Sequence, residues 1–208
     1  MGVVLTHFIH TGWVKNLLTS TLVFDIVQFF PSLNYQLFPL ILNKAGFNSK
    51  ILSFFYNYLV GRKTKYLWNN FLSSSFNVDI GVRQSSALSP ILSTLYLSPI
   101  LYIFEKRLKI LKILVFLISF VDRLFISQNK SLIVSNSHLF CSYHIISSLL
   151  RQFGLIIKHR KMKLFHFSRS HRLFDPPPLD LTTLGSPILC SKDTWCYLGF
   201  IFDRKLTF

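Results

Sequence analysis

The sequence predicts an α+β fold, an antiparallel sheet with helices packed on one face. Three observations predict it. Half of the 208 residues are apolar and 22 are Phe, enough to fill the core of one domain. Short apolar runs of strand length alternate with longer stretches at helical spacing, in the order strand, helix pair, hairpin, helix, hairpin, helix, strand. Two of the strand-like runs lead into an aspartate, Phe24-Asp25-Ile26 and Phe120-Val121-Asp122-Arg123. With helices on one face, the other face of such a sheet is free to carry a polar groove.

Residues 1–17 have no clear hydrophobic period and are expected to end a structure that begins upstream. Ser20 to Val27, rich in Leu, Val, Phe and Ile, reads as a core strand. Pro31-Ser32 opens a helix with Leu33, Leu37, Leu40 and Ile41 on one face and Gly46 as its stop, and Pro39 should kink it or delay its start. Asn48 caps a second helix with a stripe of Ile51, Phe54, Phe55, Tyr58 and Leu59, ended by Gly61. Thr64–Trp68 and Phe76–Ile80 read as two strands around an Asn69-Asn70 turn, and Phe76, Val78 and Ile80 alternate as in a half-buried strand. Ser89–Arg107 is expected as a long helix broken or started at its prolines. Ile113–Ser127 reads as a hairpin with Asp122 at its turn, and Ser137–Phe153 as a helix stopped by Gly154. Pro176-Pro177-Pro178 marks a linker, and Trp195 to Phe200 a last strand or hairpin.

Charge narrows the function classes. There are 23 Lys and Arg against 8 Asp and Glu, a net +15, which favours a polyanionic partner, nucleic acid or an acidic membrane surface. The 21 residues from Gln84 to Phe104 carry no charge and are long enough to span a bilayer, but Pro90, Pro99 and the four serines between Ser85 and Ser93 argue against a span. No secretory signal is read at the N-terminus, and an intracellular location, nucleus or cytoplasm, is expected. Three cysteines do not suggest a disulfide framework, and His138, Cys141 and His144 lack a fourth zinc ligand nearby in sequence. Buried thiols and surface histidines are expected.

Five segments in order carry a family resemblance. Ser20 to Ser32 resembles the first catalytic motif of reverse transcriptases. Gly81-Val82-Arg83-Gln84-Ser85-Ser86-Ala87-Leu88-Ser89-Pro90 resembles their glycine-x-x-glutamine-glycine-x-x-x-serine-proline motif, and Phe120 to Arg123 their aromatic-x-Asp-Asp turn. Gly154-Leu155 with Lys161, and then Tyr197-Leu198-Gly199, occupy the later palm and primer-grip positions. The spacing is most similar to non-LTR, LINE-type retrotransposons, over residues 18 to 203. The resemblance implies a palm with part of the fingers: residues 1–17 a remnant of the upstream fingers, 18–175 fingers and palm, and 176–208 a linker and primer-grip-like hairpin with the thumb absent.

The resemblance also implies a chemistry, RNA-directed DNA synthesis by two Mg²⁺ ions that stabilise the attacking and leaving oxygens together. Asp25 and Asp122 would be the principal ligands, converging across adjacent strands, with the Ile26 carbonyl beside them. Gln84, Ser85 and Ser89 would lie along the nucleotide and template. Lys161 would neutralise the departing pyrophosphate, and Tyr197, Leu198 and Gly199 would form the primer grip. Lys158, Arg160, Lys163 and Arg169, interleaved with Phe165 and Phe167, suit contacts to the backbone of an RNA template and DNA primer. Two positions depart from the pattern. Ser85 replaces a glycine that lets a nucleotide approach. Arg123 replaces the second Asp of the turn. A like-charge pair at 4 Å costs about 4 kcal/mol at an effective dielectric near 20, and a divalent ion about twice that. The sequence therefore reads as a degenerate, catalytically inactive copy. The alternatives are a non-catalytic basic nucleic-acid-binding module and a membrane-associated basic protein built around Ser85–Phe104.

Overall fold

The computed structural model describes residues 2–83, 86–119, 123–169, 176–181, 188–197 and 200–207. Two compact units make it up: Met1–Ile26 with Phe104–Ser148 and Ile157–Phe208, and Val27–Ile103 with Leu149–Ile156. The elements run α1 (Gly2–Val14), β1 (Leu18–Phe24), α2 (Phe29–Ser32), a 3-10 turn at Tyr35–Leu37, α3 (Phe38–Lys44) and α4 (Ser49–Leu59). Four short strands follow, β2 (Lys63–Thr64), β3 (Leu67–Trp68), β4 (Phe71–Leu72) and β5 (Phe76–Asn77), then α5 (Ser89–Ile110). The hairpin strands β6 (Val115–Ser119) and β7 (Arg123–Asn129) precede α6 (Leu132–Gln152), a 3-10 turn at His159–Lys161 and β8 (Lys163–Phe167). Two strand pairs complete the chain, β9 (Leu179–Asp180) with β10 (Ile188–Leu189) and β11 (Thr194–Tyr197) with β12 (Phe200–Asp203).

The first unit is organised by an antiparallel sheet in the order β6-β7-β1-β8. β1 sits inside it and buries every residue from Thr19 to Phe24, as expected for an apolar run without charge. Alternation divides its side chains between two faces. On one face Phe24 packs on Phe125 at 4.9 Å between ring centres, and Phe104 of α5 stacks on Phe125 at 5.3 Å. On the other, Val23, Ile126, Phe165 and Phe167 pack with Leu5 and Ile9 of α1 and with Trp195 and Phe202 of the last hairpin. This second face, which the sequence left open for a polar groove, is thus covered there by α1 and β11–β12.

The helix α1 corrects the expectation for residues 1–17. It buries Leu5, Ile9 and Gly12 but exposes Val3 and Val14, so apolar residues on both sides erase its period. Gly12 lets it approach the sheet closely. A Cβ there would lie 2.7 Å from Gln128 Nε2, whose amide donates to the Phe8 carbonyl.

In the second unit the caps behave as read. The Asn48 side chain accepts from Ile51 N at 3.0 Å, and Gly46 and Gly61 take φ of +82° and +70° just past α3 and α4. Pro31-Ser32 end the short α2 instead of opening the expected helix, and Pro39 delays that helix to α3, which begins at Phe38 after the 3-10 turn. Phe38 packs on Tyr96 of α5 at 5.2 Å, and the Tyr96 hydroxyl donates to the Phe153 carbonyl at 2.8 Å. Burial pushes the Tyr96 hydroxyl's pKa up, partly offset by a backbone hydrogen bond at Asn34. The prolines of α5 act differently from one another: Pro90 sits in its first turn, whereas Pro99 lies inside a helix that continues to Ile110. No helix among the described residues is long and apolar enough to cross a membrane. The expected half-buried strand at Phe76–Ile80 is instead the two-residue β5, and Phe76 and Ile80 are both exposed.

A buried polar row crosses the sheet: Ser127 pairs with Ser20, and Ser20 with His166. The Ser20 hydroxyl and His166 Nδ1 lie 2.8 Å apart. Burial, and after it the charge of Arg204, holds the His166 imidazole down to about 4. The folded chain therefore keeps it neutral where an unfolded chain, with the ordinary value of 6.5, takes up a proton. Its contribution to stability is complete above pH 6.5 and is lost as pH falls toward 4, about 3 kcal/mol in all. Urea unfolding at pH 7, 5.5 and 4 is expected to reveal this loss, and His166→Gln to lessen it; equal acid sensitivity of both chains would contradict the assignment.

Candidate functional site

Asp25 stands immediately after β1, where the strand's own pairing ends. Its carbonyl accepts from Lys158 N at 2.7 Å, and Ile26 forms an antiparallel bridge with Ile157, so the basic segment runs directly beside it. Ile26 is buried. The Asp25 carboxylate is committed at both oxygens: Oδ1 accepts from Ile26 N at 2.9 Å, and Oδ2 lies 3.2 Å from Lys161 Nζ. The carboxylate is largely covered, while Lys161 is mostly exposed, with 24% and 59% of their side chains open to solvent.

Across the ladder, Phe24 pairs with Arg123, the first residue of β7, and Arg123 also pairs with Ser119. The hairpin expected at 113–127 is therefore present. Its turn residue Asp122 lies outside the described residues. Arg123 occupies the ladder position opposite Phe24, the residue before Asp25.

The glycine-initiated motif is built on a close backbone approach in the second unit. Gly81 N donates to the Leu33 carbonyl at 2.9 Å and Val82 N to the Phe30 carbonyl at 2.8 Å. Gly81 has φ +81°, and a Cβ on it would lie 2.6–2.8 Å from Pro31 backbone atoms. Motif residues Pro31 and Gly81 are thus in backbone contact. Gln84 and Ser85 lie outside the described residues. Ser89 is fully buried and its hydroxyl donates to the Arg83 carbonyl, which makes it the residue that closes the turn into α5. Ser86 shares a hydrogen bond with the Tyr58 hydroxyl.

Lys158, Arg160, Lys161, Lys163 and Arg169 are all exposed. Phe165 and Phe167 are not partners of this basic series. They are 3% and 1% exposed, in the core with Trp195, because β8 is covered on both faces and only its first residue reaches solvent. Tyr197 ends β11, and Leu198 and Gly199 lie outside the described residues. The cysteines also differ from expectation: Cys190 and Cys196 are exposed and Cys141 is half-buried. Sequence reasoning missed the Ser20–His166 pair. The mark it left is a polar residue inside each of two apolar strands, at positions that face one another across the ladder.

No protein-family model matches the chain, and no curated protein matches it. Solved structures do. Telomerase of Candida tropicalis, a reverse-transcriptase-related enzyme, in complex with the TWJ fragment of telomeric RNA, aligns at TM-score 0.59 and 14% identity over 78% of this chain. The fold is a reverse-transcriptase-like palm. Apo telomerase of the same organism aligns at 0.58 and 14% identity over 91% of the chain. The form truncated from its C-terminal domain aligns at 0.54 and 15% identity over 96%. The palm-like chain spans only 29%, 32% and 37% of these three chains, respectively.

The Gly81 contact makes a sharp prediction. Gly81→Ala forces a side chain into left-handed backbone against Pro31 and is expected to destabilise the chain by about 2 kcal/mol or more. Gly46→Ala, with nothing within 4 Å of the added Cβ, should cost less. Denaturant unfolding of the pair checks this; equal losses would contradict the close-approach argument.

Proposed function

We propose that the chain is a degenerate reverse transcriptase domain of a LINE-type retrotransposon that binds a template–primer duplex without extending it. The observation that carries this reading is the Lys161–Asp25 pair at 3.2 Å, on the strand whose last residue, Phe24, is paired with Arg123. Mg²⁺ takes several hard oxygen ligands and sheds its water reluctantly. A carboxylate already compensated by lysine suits it poorly. Among the described residues no group of three His, Cys, Asp or Glu could hold a metal. Asp122, the second ligand a two-Mg²⁺ centre would need, lies outside the described residues, and Asp25, the described one, is engaged by Lys161.

What remains favourable is the charge. Lys158, Arg160, Lys163 and Arg169 are exposed on a chain of net +15, free to meet phosphates. Asp25 takes the role of an anchor for Lys161, and the partners proposed are an RNA template and a DNA primer, in the nucleus or cytoplasm. The telomerase structure solved with telomeric RNA supports a nucleic-acid partner for this fold. The membrane-associated alternative finds no candidate span among the described helices.

Two outcomes are expected. Duplex affinity should fall steeply with salt, with a log–log slope of about −0.9 per phosphate neutralised, and the double change Lys158→Ala, Lys163→Ala should make that slope shallower by about two. Fluorescence anisotropy across a salt series measures both, and affinity indifferent to salt would contradict the electrostatic account. Primer extension on a homopolymer template should be undetectable with Mg²⁺ or Mn²⁺; robust synthesis would overturn the inactive reading.

A further inference from the structure

The ribbon from Lys63 to Asn77 has no place in the site above, and it is unusual. Leu67 pairs with Leu72 and Trp68 with Phe71, joined by Asn69-Asn70, both at positive φ in a two-residue turn. Alternation puts the two pairs on opposite faces of the hairpin. Neither face is covered: Leu67 is 72% exposed, Trp68 77%, Phe71 70% and Leu72 56%. Tyr66, 66% exposed, sits with its ring 5.5 Å from that of Phe76. Trp68, Phe71 and Tyr66 share one face, and an exposed aromatic face on such a turn marks an interaction site.

Charge selects the occupant. Lys63 and Lys65 are exposed at the base of the ribbon, and no acidic residue occurs from Arg62 through Val78. A second copy of the chain would set these lysines against their like, on molecules of net +15. A polyanion with flat apolar faces answers both features at once, because bases stack on exposed aromatic rings while lysines meet the phosphates. An acidic lipid surface answers the charge, but it is a poorer match to a reverse-transcriptase-like fold. We propose that Tyr66, Trp68 and Phe71 form a stacking platform for single-stranded nucleic acid, separate from the basic series Lys158–Arg169. The inference rests on the reading of the chain as nucleic-acid binding.

The test uses the full chain, a labelled oligouridine, a labelled RNA–DNA duplex and anionic phosphatidylserine vesicles. Trp68→Ala and Phe71→Ala should each weaken oligouridine binding about tenfold and leave duplex binding within about twofold. Trp68→Phe, which keeps a ring, should retain most of the affinity. Thermal unfolding should not change, since these side chains are exposed; a variant that unfolds is replaced by Trp68→Lys, which is expected to lose the stack despite its added charge. Unchanged oligouridine affinity with duplex binding intact overturns the platform alone. So does selective loss of vesicle binding, or of self-association, in the alanine variants. Failure of the parent chain to bind either nucleic acid overturns both the platform and the proposed function.

Discussion

β1 is hydrogen-bonded along both edges, seven residue pairs to β7 and five to β8, and every side chain after Leu18 is buried. A strand held in this way cannot slip by one residue without exchanging its two faces, since Val23 and Phe24 belong to different packed layers. The position of Asp25 follows from that register. The carboxylate leaves the sheet where β1's pairing with β8 has ended, and the Lys158 amide and Lys161 ammonium come to meet it. Packing of the sheet therefore decides which charges gather at its end.

At that end the balance of charge is on the cationic side. Asp25 is met by a lysine at 3.2 Å, and the β7 residue facing Phe24 is arginine. In the proposed reading, a metal on the Asp25 carboxylate would have to displace its pairing with Lys161. A phosphate meets no such opposition, since Lys158, Arg160 and Lys163 are open to solvent. In the proposed function, one arrangement would disfavour metal chemistry and favour polyanion binding, which joins the two readings.

Much of the fold was legible in the sequence because local chemistry and tertiary structure agree. The apolar run of β1, the Asn48 cap, the stops at Gly46, Gly61 and Gly154 and the delay at Pro39 each specify one outcome. The failures fall where the surroundings decide. α1 has apolar residues on both sides, and it is packing of Leu5 and Ile9 on the sheet, with the close approach at Gly12, that decides which side is buried. Alternation at Phe76–Ile80 is a correct strand signal, but the ribbon leaves Phe76 and Ile80 exposed among the described residues. Phe165 and Phe167 were read beside lysines close in sequence, whereas the pleat of β8 turns them into the core. For the candidate site, Asp25 and its basic neighbours were legible as residues. Their pairing was not, because Lys161 lies 136 positions away in the chain.

The central proposal is that Lys161, and not a metal ion, compensates the Asp25 carboxylate at the end of β1. Amide NMR during a Mn²⁺ titration tests it directly, because the paramagnetic ion broadens signals near where it binds. For the native chain the account predicts no saturable broadening confined to residues 23–27 and 158–161, and it predicts such broadening in Arg123→Asp. Localised, saturable broadening at Asp25 in the native chain would contradict it.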